Sequence, residues 1–117
     1  KGTEEEKKRH KEALQNALAE ASEAPLKGMA LAVRGLQALA DLAPRCNRHL
    51  ASDLAGAVSC LEAALAGCGE NVRVNAAALL DKDRRARLQE ERMRLLEDGA
   101  ALKARILKEV EVLHARK

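Results

Sequence analysis

The sequence contains no aromatic residue, since Phe, Tyr and Trp are all absent from its 117 positions. Residues branched at the β-carbon are also scarce, with six Val, one Ile and one Thr. Half-buried strands are built mainly from these two classes, so a sheet-based fold is excluded and an all-α chain is predicted. The missing aromatics also exclude surfaces that stack nucleic-acid bases, so no nucleic-acid partner is expected.

Cysteine is sparse and poorly placed for metal or disulfide chemistry. Cys46, Cys60 and Cys68 form no Cys-x-x-Cys motif and the three histidines are scattered, so no metal site is expected. Cys60 and Cys68 would lie about 12 Å apart along one helix, too far for a disulfide, which fits a reducing, cytoplasmic setting. No apolar run approaches the ~20 residues of a membrane-spanning helix, so no membrane partner is expected.

Alanine and leucine, both strong helix formers, occupy 24 and 19 positions. The net charge is +3, with both signs mixed along the chain. A mild basic excess lies in residues 82–117, which hold 11 Lys or Arg against 7 Asp or Glu. This excess suits either an anionic ligand or a solvated helix. The length fits one helical domain over residues 1–117.

The first half of the chain predicts two shorter helices. Thr3 is expected to cap the first, whose second half carries a stripe predicted to pack: Leu14, Ala17, Leu18 and Ala21. Pro25 disfavours helix in the preceding residue, so the break is placed at residues 23–24, with Ser22 or Glu23 as the next cap. The second helix is expected to end near Leu42, just before a second proline.

The second half predicts two long helices, which complete a four-helix bundle that belongs to a larger or dimeric assembly. Ser52 and Asp53 are expected to cap the third helix, whose apolar positions alternate by four and three as far as Leu79. Asp81 is expected to cap the fourth. Three glycines inside the third helix, Gly56, Gly67 and Gly69, each cost about 1 kcal/mol relative to Ala, so close approach of a neighbouring backbone is expected there.

Polar residues mark both ends of the third helix. Asn71 and Asn75 share one face, and Asn75 takes a packing position, where either a ligand or a neighbouring helix must satisfy its amide. Asn47, His49 and Asp53 cluster at the start; His49 and Asp53 suit an acid–base pair, or simply a loop histidine and a capping aspartate. About 33 Å of helix separates Asp53 from Asn75, so no single pocket of one chain holds both ends; two chains packed antiparallel, or a different neighbouring chain, could bring them together.

Four stretches, in order and spacing, give residues 1–112 a resemblance to a known family. They are Lys-Gly-Thr-Glu-Glu-Glu-Lys-Lys-Arg at the start, Ala24-Pro25-Leu26, Asn47 followed by Ser52-Asp53-Leu54, and Asn71-Val72-Arg73-Val74-Asn75 followed by Leu80-Asp81. The chain resembles the C-terminal part of the formiminotransferase-cyclodeaminase and methenyltetrahydrofolate cyclohydrolase family.

The resemblance implies an all-helical fold that forms a homodimer and binds a tetrahydrofolate derivative as substrate. Family members release ammonia from formiminotetrahydrofolate to give methenyltetrahydrofolate, or hydrolyse the methenyl bridge. The residues matching the family's polar positions are the candidate ligand contacts: Asn47, Ser52, Asp53, Asn71 and Asn75. No catalytic residue is assigned, and a pterin ring would find no aromatic stacking partner in this chain.

Relatives also carry an N-terminal Pro-Gly-Gly-Gly-Ser loop and an acidic helix, neither of which occurs in this sequence. We therefore expect the chain to supply only part of a cyclodeaminase or cyclohydrolase site. The alternative is a catalytically inactive helical module for dimerisation or partner binding. Whether the chain is an enzyme stays open between these two hypotheses.

Overall fold

A computed structural model describes residues 2–116; Lys1, where the resemblance begins, and Lys117 lie outside the described residues. The described part consists of four α-helical segments and two 3₁₀ turns, with no strand, which confirms the all-helical class. The segments are α1 (Glu4–Ala21), α2 (Glu23–Leu42), α3 (Ala51–Ala77) and α4 (Lys82–Ala115), and the turns are Ala43–Arg45 and Arg48–Leu50.

The helices α1 and α2 are joined through Ser22 alone, whose φ of −82° and ψ of −19° are close to helical values. The Ser22 side chain is fully buried and its hydroxyl donates backward to the Leu18 carbonyl at 3.0 Å, so it does not cap α2. The four segments therefore form three helical rods, and the predicted count of four separate helices is not confirmed.

The core lies among α2, α3 and α4. In this part of the molecule α3 runs antiparallel to both neighbours: Leu61 packs under Gly35 of α2, and Leu65 packs against Gly99 of α4. The predicted apolar face of α3 is largely confirmed. Side chains with at most 1% exposure include Met29, Leu36, Val58, Val72, Leu79, Ile106 and Leu113.

The apolar stripe of α1 does not pack as predicted. No residue of α1 is buried, and Leu14 is 52% exposed. Gln15 attaches α1 to the α3–α4 connection, because its amide donates to the Ala78 carbonyl at 3.2 Å and accepts from the Leu80 N–H at 2.7 Å. Because α1 runs past the end of α3, the molecule measures 75 × 20 × 15 Å.

Apart from Ser22, two of the predicted helix caps are confirmed and one is wrong. The Thr3 hydroxyl accepts from the Glu6 N–H at 3.1 Å, and Asp81 Oδ1 accepts from two N–H groups of the first turn of α4. Ser52 does not cap α3, because the helix begins at Ala51, directly after the 3₁₀ turn. The Asn47 side chain caps that turn instead.

The glycines of α3 divide into two kinds. A Cβ at Gly69 would lie 3.1 Å from Met29 Cε, so the predicted close approach exists there, although to a side chain rather than a backbone. At Gly56 and Gly67 no heavy atom lies within 4 Å of such a Cβ, and the prediction is wrong for both.

The segment Arg48–Ala77 is long and apolar enough, by length and composition, to cross a membrane. Its apolar character comes mainly from the alanines and leucines of α3. In the structure α3 is the central helix of the core, with Leu54, Val58, Leu65 and Val72 buried between α2 and α4. Only 22% of the most apolar stretch of this segment is buried, so α3 packs through one face and leaves its other residues at least partly exposed.

Candidate functional site

Asn47, Ser52 and Asp53 lie at the end of the molecule where α2 turns into α3. Asn47 Oδ1 accepts from the His49 N–H at 2.9 Å, so half of its amide is already engaged in the turn. Ser52 and Asp53 are exposed in the first turn of α3 and face different hollows. Ser52, Asp53 and the Nδ2 group of Asn47 are therefore open to a ligand.

The proposed His49–Asp53 pair is not formed. His49 lines the same hollow as Ser52, whereas Asp53 borders an apolar hollow of about 260 Å³ on the other side, with Leu39, Leu42, Cys46, Leu50, Leu54 and Ala57. Direct proton transfer between the two side chains is therefore not supported by the geometry, and the loop-histidine interpretation holds.

Asn71 and Asn75 lie near the opposite end of α3. Asn71 is exposed, while Asn75 is half-buried and its Nδ2 donates to the Ala21 carbonyl at 3.4 Å. In an uninterrupted helix the Ala21 carbonyl would accept from the N–H four residues later, but that residue is Pro25, which has none. Asn75 therefore satisfies a carbonyl that the proline leaves open. A neighbouring helix satisfies its amide, and Asn71 is the member of this pair available to a ligand.

Glu70, which precedes Asn71 in α3, carries a negative charge that is paired within the same helix. The hydrogen bond from Arg73 lowers the pKa of Glu70; desolvation opposes this effect, and the positive charges of Arg73 and Arg92 add to it. Glu70 thus stays ionised beside Asn71 throughout the neutral range. The Arg73 guanidinium is the partner in this ion pair, and the Gln89 side chain holds the Arg73 carbonyl at 3.3 Å.

Sequence reasoning missed a basic pocket of about 370 Å³ that Ser52 lines. Its polar lining consists of Arg48, His49, Ser52, His114 and Arg116. The C-terminal end of α4 and the start of α3 meet here, and Arg48 Nη1 donates to the Arg116 carbonyl at 3.5 Å. The basic excess of the last third of the chain was the only signal in the sequence.

An apolar groove of about 480 Å³ between α3 and α4 was also missed. Leu36 and Leu65 line it together with Leu96, Gly99, Ala100 and Leu107, and an ion pair between Glu62 and Lys103 borders it. Among residues 2–116 no three His, Cys, Asp or Glu side chains come close enough to hold a metal ion, and the thiols of Cys46, Cys60 and Cys68 are free.

The fold and these polar ends define an all-helical protein with separate polar clusters at the two ends of one long helix. A family model described as formiminotransferase-cyclodeaminase matches residues 1–94. The chain belongs to the formiminotransferase-cyclodeaminase family, as the resemblance predicts. The match contains all five candidate residues and ends before residues 95–112, which the resemblance also covered. No curated protein and no solved structure matches the chain.

Proposed function

We propose that this chain binds a tetrahydrofolate derivative and forms the helical part of a cyclodeaminase or cyclohydrolase site in the cytoplasm. The family match over residues 1–94 is the observation that carries the proposal. The reaction would release ammonia from formiminotetrahydrofolate or hydrolyse the methenyl bridge. With no aromatic side chain in the sequence, this chain would hold the pterin by hydrogen bonds and aliphatic packing.

We further propose that each site is shared between two copies of the chain. Ser52 and Asp53 are about 30 Å along α3 from Asn71, so a single chain does not bring them to one ligand. In an antiparallel homodimer, the two-fold axis places the start of one α3 beside the end of the other. Asn75 belongs to this second end, where its bond to the Ala21 carbonyl orients the helix face that presents Asn71.

Isothermal titration of the 117-residue chain with tetrahydrofolate tests the proposal. We expect saturable binding, weakened about fivefold to tenfold by Asn71→Leu or Ser52→Ala, because each change removes one hydrogen bond to the ligand. Ser59→Ala is the matched control, since Ser59 is an exposed serine of α3 whose hydroxyl donates to its own helix at 3.1 Å. Absence of any binding heat, or equal losses in all three variants, would overturn the proposal.

The second candidate is a catalytically inactive helical module for dimerisation or partner binding. The observation that favours it is the apolar surface left open: the groove between α3 and α4, with Leu14 and Leu31 at 52% and 61% exposure elsewhere. Such surface on a small chain is typical of an interaction face. The same titration, combined with sedimentation equilibrium, separates the two candidates. A chain that self-associates but binds no tetrahydrofolate fits only the inactive helical module.

A further inference from the structure

The charges of the basic pocket are not balanced within the described chain. Arg48 and His49 reach it from the turn before α3, and His114 and Arg116 reach it from the end of α4. No carboxylate in residues 2–116 is among the residues that line it. The nearest acidic residue of α3, Asp53, borders the hollow on the other side. Two permanent guanidinium charges therefore share one concave site with no carboxylate lining it among residues 2–116.

Several basic side chains elsewhere on the molecule are paired with a carboxylate. Lys7 lies 3.5 Å from Glu4, Arg94 lies 3.5 Å from Asp98, and Lys103 pairs with Glu62. Bringing like charges together costs free energy unless an anion joins them. The basic pocket joins the start of α3 to the end of α4, and Arg48 and Arg116 are 68 positions apart in the sequence. The fold itself therefore creates this concentration of charge.

We propose that the basic pocket binds a small ligand through a phosphate or carboxylate group. Guanidinium forks donate paired hydrogen bonds to such oxygens, and the Ser52 hydroxyl and an imidazole N–H supply further donors. The volume of about 370 Å³ accommodates an anionic group with part of the molecule that carries it. The first turn of α3 adds the positive end of its dipole. This inference stands on the pocket alone and does not depend on folate binding.

Amide NMR titration of the full chain with inorganic phosphate and, separately, with glutarate tests the inference at constant ionic strength set by chloride. We expect saturable shifts at Ser52 and His114 with at least one of the two probes. Phosphate alone would identify a phosphoryl ligand, glutarate alone a carboxylate ligand, and both the shared anionic chemistry.

The variants Arg48→Gln and Arg116→Gln are expected to weaken binding about tenfold each, since each removes a charge-assisted contact. Arg116→Gln lies at the chain end and leaves the 3₁₀ turn untouched, so it guards against a folding effect in Arg48→Gln. The matched control is Arg45→Gln, an exposed arginine of the preceding turn that does not line the pocket. Linear, unsaturated shifts, or an equal effect of Arg45→Gln, would show diffuse screening and overturn the inference.

Discussion

Glycines in the same helix are expected to respond differently to the same substitution. Gly67→Ala should raise the free energy of unfolding by about 0.5–1 kcal/mol, because the new methyl group meets nothing and alanine favours helix. Gly69→Ala should be less stable than Gly67→Ala by about 1 kcal/mol or more, because Met29 is fully buried and must move. Urea denaturation followed by circular dichroism measures both.

Gly56→Ala provides the control for that comparison, since its surroundings are as open as those of Gly67. It should gain stability to the same extent. Equal gains at Gly67 and Gly69 would mean that Met29 rearranges without cost, contrary to the packing described. The sequence indicated a cost at each glycine but could not tell which ones face a neighbour, because that depends on the rotation of α3 within the core.

Asn75 shows at the same scale what sequence reasoning reaches and what it misses. Its position on the packing face, and its need for a partner, follow from periodicity. The partner does not, because the Ala21 carbonyl is left open by Pro25, 50 residues earlier in the chain, and meets Asn75 only after folding. The Asn75 amide therefore occupies an apolar packing position because it bonds the free carbonyl at the joint between α1 and α2.

At the scale of the element, Gln15 makes two of the hydrogen bonds that attach α1 to the rest of the molecule. Gln15→Ala should speed amide hydrogen exchange in the second half of α1 by about tenfold, because two hydrogen bonds to the α3–α4 connection are lost. The amides of α2, α3 and α4 should keep their protection. Mass-spectrometric exchange, resolved by peptide, measures the change.

Gln37→Ala is the matched control, since this exposed glutamine of α2 bonds only within its own helix, to Asp41 at 3.0 Å. It should leave α1 unchanged. If Gln15→Ala exchanged like the parent chain, packing of Leu18 rather than the glutamine would attach α1.

The fates of the predicted elements follow the strength of their signals. The starts of α1 and α4 were predictable because Thr3 and Asp81 cap by local hydrogen bonds. The start of α3 was not, because Asn47 forms a 3₁₀ turn that replaces the expected serine cap. The stripe on α1 was read as packed, since periodicity reports amphipathicity and does not report whether a partner lies opposite.

At the scale of the whole molecule, the shared-site proposal predicts complementation between two defective chains. One chain carries Ser52→Ala with Asp53→Ala, and the other carries Asn71→Leu. In a random mixture half of the dimers are mixed, and each mixed dimer rebuilds one intact site from two unaltered ends. About a quarter of the tetrahydrofolate sites should then regain full affinity, as isologous symmetry requires.

Isothermal titration of the mixture, after unfolding and refolding together, measures the recovered fraction, and each variant refolded alone is the control. Recovery near zero, with tetrahydrofolate binding to the parent chain intact, would place the site within one copy. The candidate residues and their division between the two ends of α3 were found from sequence, whereas the engagement of Asn47 by the His49 N–H and of Asn75 by the Ala21 carbonyl depends on folding.

The extended course of α1 beyond the core also changes how the molecule moves through solvent. Its radius of gyration is 19.5 Å, whereas a compact chain of this length would have about 13 Å. Frictional drag rises with such elongation, so a single 12.6 kDa chain should leave a gel-filtration column ahead of globular standards of equal mass. Elution volume will therefore overstate the mass, and copies are properly counted by light scattering.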